Sequence, residues 1–437
     1  MMTVSSGLVP RLSSRVWLIL GGDAVSALGS GLTLPFLVVY LHQVRGIELG
    51  VAGLILSTVA VAGLVGNPAG GWLADRIGPH RAVVAGLLIA ALGTAAIAAV
   101  HSAWQGFAAA GLYGIGMAVL WPAEDALLAT AVDAEQRPQV FAVRHATLNA
   151  GLSVGALTAA LVVGSASPAS FMLLYLLDAA SFLGFAVVVA RLTDAAAAQT
   201  NAAPNGGRSG YREVLRDRLF RRLWLLVLLL VTAGYAQYHA AFPAYATGVG
   251  GLSARGLGLA FAANMVTVVL AQLVMLRLLA GRRRTRGVMI AAGFVAAAWM
   301  ATLIGGIGVG SAGSTMFVVA MVLFAVGETL LSPTLPAMVN DLAPELLRGC
   351  YNGAYSLAWT TGYIAGPAIA GFALAAGAGH VLFGALIGAL GVVVVGAWRL
   401  EHRLPPATNR IDPDPRSVAA EKPEAPLGLA LALEGEL

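Results

Sequence analysis

Twelve times along this chain an apolar run of about 20 residues recurs, mostly free of charge inside and bounded by arginine, aspartate, glutamate or proline. A helix rises 1.5 Å per residue, so such a run spans the roughly 30 Å of hydrocarbon in a bilayer. The runs fall at 16–41, 50–74, 82–100, 104–131, 140–163, 168–190, 223–247, 254–279, 287–309, 314–340, 350–376 and 379–399. With 58% hydrophobic and 11% charged residues, and 54 glycines that bilayer helices tolerate, lipid is the expected solvent. The first run lacks a small-residue cleavage site after a short apolar core, and reads as a mature helix rather than a signal peptide. The expected fold class is all-α integral membrane, with 12 transmembrane helices.

Residue usage removes several functions. The one lysine, Lys422, stands in a polar tail, so neither a phosphate-binding P-loop nor a retinal Schiff base can be built. The single Cys350 excludes an intrachain disulfide, and seven scattered histidines give no metal-ligand spacing. No metal and no cofactor are expected. Energy for any transport must come from a gradient or from a partner chain that hydrolyses nucleotide. The net charge of +5 does not point to nucleic acid, because the arginines cluster at the ends of apolar runs, where they act as topology signals. With both termini inside, only Arg45 and Arg255 fall in outer loops, so 26 minus 2 leaves 24 basic residues on or near the cytoplasmic side. The expected location is the cell inner (cytoplasmic) membrane, multi-pass, with both termini cytoplasmic. Outer connections such as 164–167 leave no room for an ectodomain.

Four segments follow: a six-helix bundle over 1–190, a cytoplasmic linker over 191–222, a second six-helix bundle over 223–400, and a proline-rich, disordered cytoplasmic tail over 401–437. The linker begins as flexible chain and ends, from Tyr211 to Asp217, as a basic amphipathic helix at the inner interface. Sliding one half along the other gives an ungapped register with an offset of 211. It pairs Gly116 with Gly327, Pro122 with Pro333, Ala126 with Ala337, Arg137 with Arg348, Gly151 with Gly362 and Gly155 with Gly366. Two related halves are the plan of a transporter that rocks about a midplane site.

The loop after the second run reads Gly71-Trp72-Leu73-Ala74-Asp75-Arg76-Ile77-Gly78-Pro79-His80-Arg81. It resembles the signature between helices 2 and 3 of the major facilitator superfamily, and with the spans and the repeat this resemblance covers nearly all of the chain before the tail. It implies two pseudo-symmetric six-helix bundles, the major facilitator fold. It also implies a conformational gate at Gly71, Asp75, Arg76, Gly78 and Arg81, in which Asp75 caps a neighbouring helix or pairs with an arginine. Pro79 stands where the family carries a basic residue, a departure from that charge relay. The chain resembles the proton-driven drug exporters of the family only in part. Gly151 and Gly155 match the helix 5 glycine series, whose other places hold alanines, and Ala110 replaces the helix 4 arginine. The series reappears in the eleventh span as Gly362 and Gly366-Pro367, read as close packing at the moving interface together with a bend.

Charges inside apolar runs cost about 3 kcal/mol each on insertion scales and need a reason. They are Asp23, Glu124, Asp125, Arg144, Asp178 and Glu328. Helix directions bring the first four into the inner half of the first bundle, where Asp23 and one of Glu124 or Asp125 are expected to alternate between Arg144 and a proton. Asp178 and Glu328 are further candidates for a proton or a cationic substrate. Opposite them, Tyr355, Trp359 and Tyr363 recur at four-residue intervals, and Tyr235, Tyr238, His239 and Phe242 follow i, i+3, i+4 and i+7. Such aromatic faces suit bulky, lipophilic, often cationic compounds. The sequence Gly151-Leu152-Ser153-Val154-Gly155 matches G-x-S-x-G, but it lies within an apolar helix instead of a strained strand-to-helix elbow, so no enzyme is expected. The reading is a monomeric exporter of small amphiphilic compounds by proton antiport, whose partners are a small-molecule substrate, protons and the lipid bilayer. Proton-coupled import of a small polar metabolite is the alternative.

Overall fold

The structure is a computed structural model that describes residues 12–133, 136–162, 167–192, 208–279, 281–308, 310–344, 347–405 and 409. Residues 193–207 of the expected linker and nearly all of the expected tail lie outside these residues. The membrane helices are α1 (Ser14–Val44), α2 (Leu49–Ile77), α3 (Pro79–Ala98), α4 (Ala103–Thr130), α5 (Arg137–Val162) and α6 (Pro168–Arg191). After the linker helix (Arg208–Arg216) come α7 (residues 218–248), α8 (Ala254–Leu279), α9 (Arg284–Ile307), α10 (Gly310–Leu342), α11 (Arg348–Ala375) and α12 (Gly379–Glu401). Among the described residues, eleven of these stretches are long and apolar enough to cross a bilayer, and the 29-residue α2 adds the apolar stretch Leu49–Leu64.

Local chemistry sets the ends. Ser167 Oγ accepts the Ser170 N–H at 3.2 Å to open α6, and the Asp217 carboxylate accepts the Leu219 and Phe220 N–H groups at 2.8 and 3.1 Å to open α7. Between α2 and α3, Gly78 takes φ +86°, which suits a residue without Cβ, and Pro79 then starts α3 at a position that needs no N–H.

Helices α1 to α6 form one bundle, in which α4 packs on α2 and α3 while α1 packs on α5 and α6. Helices α7 to α12 form the second, with α10 on α8 and α9 and with α12 on α9. The bundles meet along two seams, α2 with α11 and α5 with α8. Seam contact lies at the end away from the chain termini. A Cβ on Gly53 would fall 2.3 Å from the Pro367 carbonyl oxygen, and one on Gly258 would fall 2.4 Å from the Ala160 Cβ. At the same end Gln43 Nε2 donates to Thr247 Oγ1 at 2.8 Å.

Two expectations change. The repeat-matched glycines pack within the bundles rather than between them. A Cβ on Gly151 or Gly155 would meet the carbonyl oxygens of Ala24 or Leu28 on α1, and one on Gly362 or Gly366 would meet Val231 or Ala236 on α7. Each bundle thus repeats one contact, α5 on α1 and α11 on α7, while Gly53, Gly258 and Gly371 serve the seams. Spans expected to be continuous are also interrupted. In α1 a tight turn at Leu34–Phe36, with Pro35, follows the helix Ser14–Thr33. In α7 a wide turn at Val231–Tyr235 and a break at Ala240 precede Ala241–Gly248, where Pro243 has no N–H for the His239 carbonyl. In α10 the helix stops at Leu331 and resumes at Leu335, next to Pro333 and Pro336.

Candidate functional site

A cavity of about 400 Å³ lies between the bundles. It is shut off by the seam contacts at one end, and its lining runs toward the end that carries the termini. The interruptions all meet it: Leu34 and Pro35 of α1, His239 of α7, and Ser332, Leu335 and Pro336 of α10 line its wall. Irregular backbone is tolerated at membrane depth where it borders a cavity, and here it does.

The second bundle supplies the aromatic side, and the two expected stripes join there. The Tyr235 ring of α7 lies 4.8 Å from Trp359 of α11, which has Tyr355 and Tyr363 each 6.2 Å away. Tyr238 stacks on Phe324 at 4.9 Å and meets Phe261 edge-on at 4.8 Å. Its hydroxyl donates to Asn264 Oδ1 at 3.1 Å, and Asn264 in turn donates to the Met321 carbonyl, which fixes the ring. Glu328 projects from α10 into this wall, with no ion-pair partner among the described residues. Trp359 Nε1 lies within hydrogen-bonding reach of the Tyr355 hydroxyl, and the buried ring nitrogen His239 Nδ1, beside the Tyr238 ring, has no hydrogen-bond partner among the described residues. Phe242 departs from expectation. It is fully buried between Phe261 and Phe317, behind the wall rather than in it.

The first bundle supplies the charged side. Arg144 of α5 holds three carboxylates at once: Nε meets Asp23 Oδ2 at 3.2 Å, Nη2 meets Glu124 Oε2 at 2.8 Å, and Nη1 meets Asp125 Oδ1 at 2.6 Å. The groups lie together as helix direction predicts, and both Glu124 and Asp125 pair with Arg144. The partners are unequal, since the Glu124 side chain is 1% exposed and the Asp125 side chain 54%. Three carboxylates against one guanidinium leave an excess of negative charge when all are ionised. Glu124 Oε1 has no donor, and Asp23 lies within hydrogen-bonding reach of Glu124. A proton on this buried pair therefore both relieves the excess and makes a bond that two carboxylates cannot make.

Asp178 stands apart from both. It is buried on α6, accepts from Thr33 Oγ1 of α1 at 2.7 Å, and leaves Oδ1 unpaired inside the first bundle, away from the cavity lining. In the α2–α3 turn the Arg76 guanidinium lies 5.1 Å over the Trp72 ring and Arg81 is exposed. Gly71 and Asp75 sit on α2, and their side chains lie outside what is described, so the expected pairing of Asp75 does as well. Among the described residues no group of three or more His, Cys, Asp or Glu is arranged for a metal ion.

Sequence reasoning passed over His145 and Asn149 of α5 and Gln272 of α8, which add polar groups to the lining. The signal was available: His145, Asn149, Leu152 and Ala156 follow helical spacing along one face of an apolar run.

Known proteins agree with this architecture. Residues 19–307 and 240–433 match the family described as Major Facilitator Superfamily. YqjV of Bacillus subtilis, an uncharacterized MFS-type transporter, is 25% identical over 363 residues, covering 82% of this chain and 86% of its own. The multidrug resistance protein MdtH of Aeromonas hydrophila is 25% identical over 367 residues, covering 83% and 89%. The crystal structure of the nucleoside transporter NupG superposes with a TM-score of 0.75 at 12% identity, covering 90% of this chain and 100% of that one. Twelve helices in two repeated bundles about a central cavity, and a family match over nearly the whole chain, lead to one assignment: the chain belongs to the major facilitator superfamily of membrane transporters.

Proposed function

We propose that this transporter exports small amphiphilic compounds, cationic ones among them, by proton antiport, and that the cavity is seen open toward the cytoplasm. The observation that carries this reading is the division of the site. A buried carboxylate cluster on a single guanidinium occupies one bundle, and an aromatic wall with one unpaired carboxylate occupies the other. The cluster takes up a proton as a carboxylate leaves Arg144 and releases it on re-pairing. Glu328 and the rings receive an amphiphile through charge, cation-π and apolar contact. Arginines at the ends of the apolar runs support cytoplasmic termini. The multidrug resistance protein among the relatives is consistent with export.

Inside-out vesicles with an imposed proton gradient and a pH-sensitive dye test the reading. Lipophilic cations should dissipate the gradient saturably, and the Asp23→Asn variant should abolish the response while binding persists. Full coupled transport by well-expressed Asp23→Asn would sink the assignment of the proton site. The polar groups His145, Asn149 and Gln272 favour a second reading, proton-coupled uptake of a polar metabolite. Sugars, amino acids and nucleosides in the same assay decide it.

A further inference from the structure

At the end that carries the termini, α2 and α11 part and leave a groove of about 740 Å³. Its lining includes Leu64 of α2, Trp224 and Leu225 of α7, Leu357 of α11, and Tyr211 and Leu215 of the linker helix. Several polar groups along the groove are already engaged. Trp224 Nε1 donates to the Ala354 carbonyl at 2.7 Å, and the Thr360 hydroxyl donates to the Ser356 carbonyl at 3.1 Å. The floor, with Leu64, Leu215, Leu225 and Leu357, therefore offers mainly hydrocarbon contact.

The rim is cationic. Arg221 borders the groove, and Arg212, Arg216, Arg218 and Arg222 are exposed on the linker helix and the first turns of α7. None of the five has an ion-pair partner among the described residues. Against them stand Glu213 and Asp217, and the Asp217 carboxylate is occupied by two backbone N–H groups and by the Tyr351 hydroxyl at 2.8 Å. Five guanidinium groups less two carboxylates leave a local charge of +3.

We infer that this groove is a binding site for an anionic diacyl phospholipid of the leaflet on the terminus-bearing side, with an acyl chain between α2 and α11 and the phosphate among the rim arginines. An apolar slot ending in unpaired guanidinium groups complements a hydrocarbon tail carrying a phosphate, and guanidinium matches phosphate in geometry as well as charge. Bringing Leu64 and Leu357 together would abolish the groove, so a lipid held there favours the state in which the bundles are parted at this end.

The test uses the full-length protein in nanodiscs of phosphatidylcholine doped with phosphatidylglycerol, released for native mass spectrometry. Phosphatidylglycerol should be retained in preference to phosphatidylcholine. Retention should fall about fivefold for each guanidinium removed by Arg221→Gln and Arg218→Gln, and survive Arg221→Lys. Leu357→Trp, which fills the slot from a half-exposed position, should displace the lipid, with thermal melting as the check on folding. Equal retention of the two lipids overturns the site, as does phosphatidylglycerol retention unchanged by the groove and rim variants. Should Leu357→Trp slow transport of a lipophilic cation while lipid retention stays unchanged, the groove is a substrate path and the lipid assignment falls.

Discussion

The two bundles share a plan, and the offset of 211 shows how differently they use it. Asp23 falls on Gly234, Glu124 on Leu335, Asp125 on Pro336, and Arg144 on Tyr355. In the other direction Glu328 falls on Met117, Trp359 on Leu148 and Tyr363 on Leu152. Three of the four places that hold ions in the first half hold cavity lining in the second, since Leu335, Pro336 and Tyr355 face the central space. On the function proposed above, one scaffold separates ion handling from compound handling, and coupling between them passes through the relative movement of the bundles rather than through direct competition for one carboxylate.

The strongest way to break this division is Arg144→Met. It strands Asp23 and Glu124 without their cation, and removing one partner of a buried ion pair costs about 3–5 kcal/mol. A large drop in melting temperature and loss of transport are expected, and differential scanning fluorimetry with vesicle assays measures both. Glu124→Gln comes next: gradient-driven transport should disappear while energy-independent exchange of labelled compound continues, since the aromatic half is untouched. If exchange also stopped, the two halves would not be separable in this way.

Glu328→Gln sharpens the other half. Affinity for monocationic amphiphiles should fall roughly tenfold, the scale of one charge-assisted contact, and affinity for neutral amphiphiles should hold. Equal losses for both classes, read by tryptophan quenching, would remove Glu328 from cation recognition. The smallest effect is expected from Trp359→Phe, which keeps a ring and gives up the indole N–H beside Tyr355; a change of about twofold to fivefold in affinity with unchanged coupling is expected.

The division into spans and halves was legible because hydropathy and the repeat are properties of whole segments. The Arg144 cluster was legible as well, since a charge in an apolar run is conspicuous and helix direction gives its depth. Helix interruptions were not legible. Pro122 and Pro333 occupy matched positions, yet α4 runs unbroken through Pro122 while α10 stops just before Pro333. A second proline, Pro336, stands on α10, whereas Asp125 holds the matched place on α4. Phe242 fails for a related reason. The break at Ala240 resets the helical phase, so a residue that shares a face with Tyr235 on an ideal helix ends up behind the wall.

The closed end of the cavity is held by glycine against backbone and by one amide–hydroxyl bond, and among the described residues no ion pair joins the bundles. Dispersion contacts are indifferent to screening, whereas ion pairs weaken as the Debye length shortens. The seal at that end is therefore insensitive to ionic strength and sensitive to volume. A single methyl group at Gly53 or Gly258 acts as a wedge there, and a cell in brine or in fresh water meets the same door.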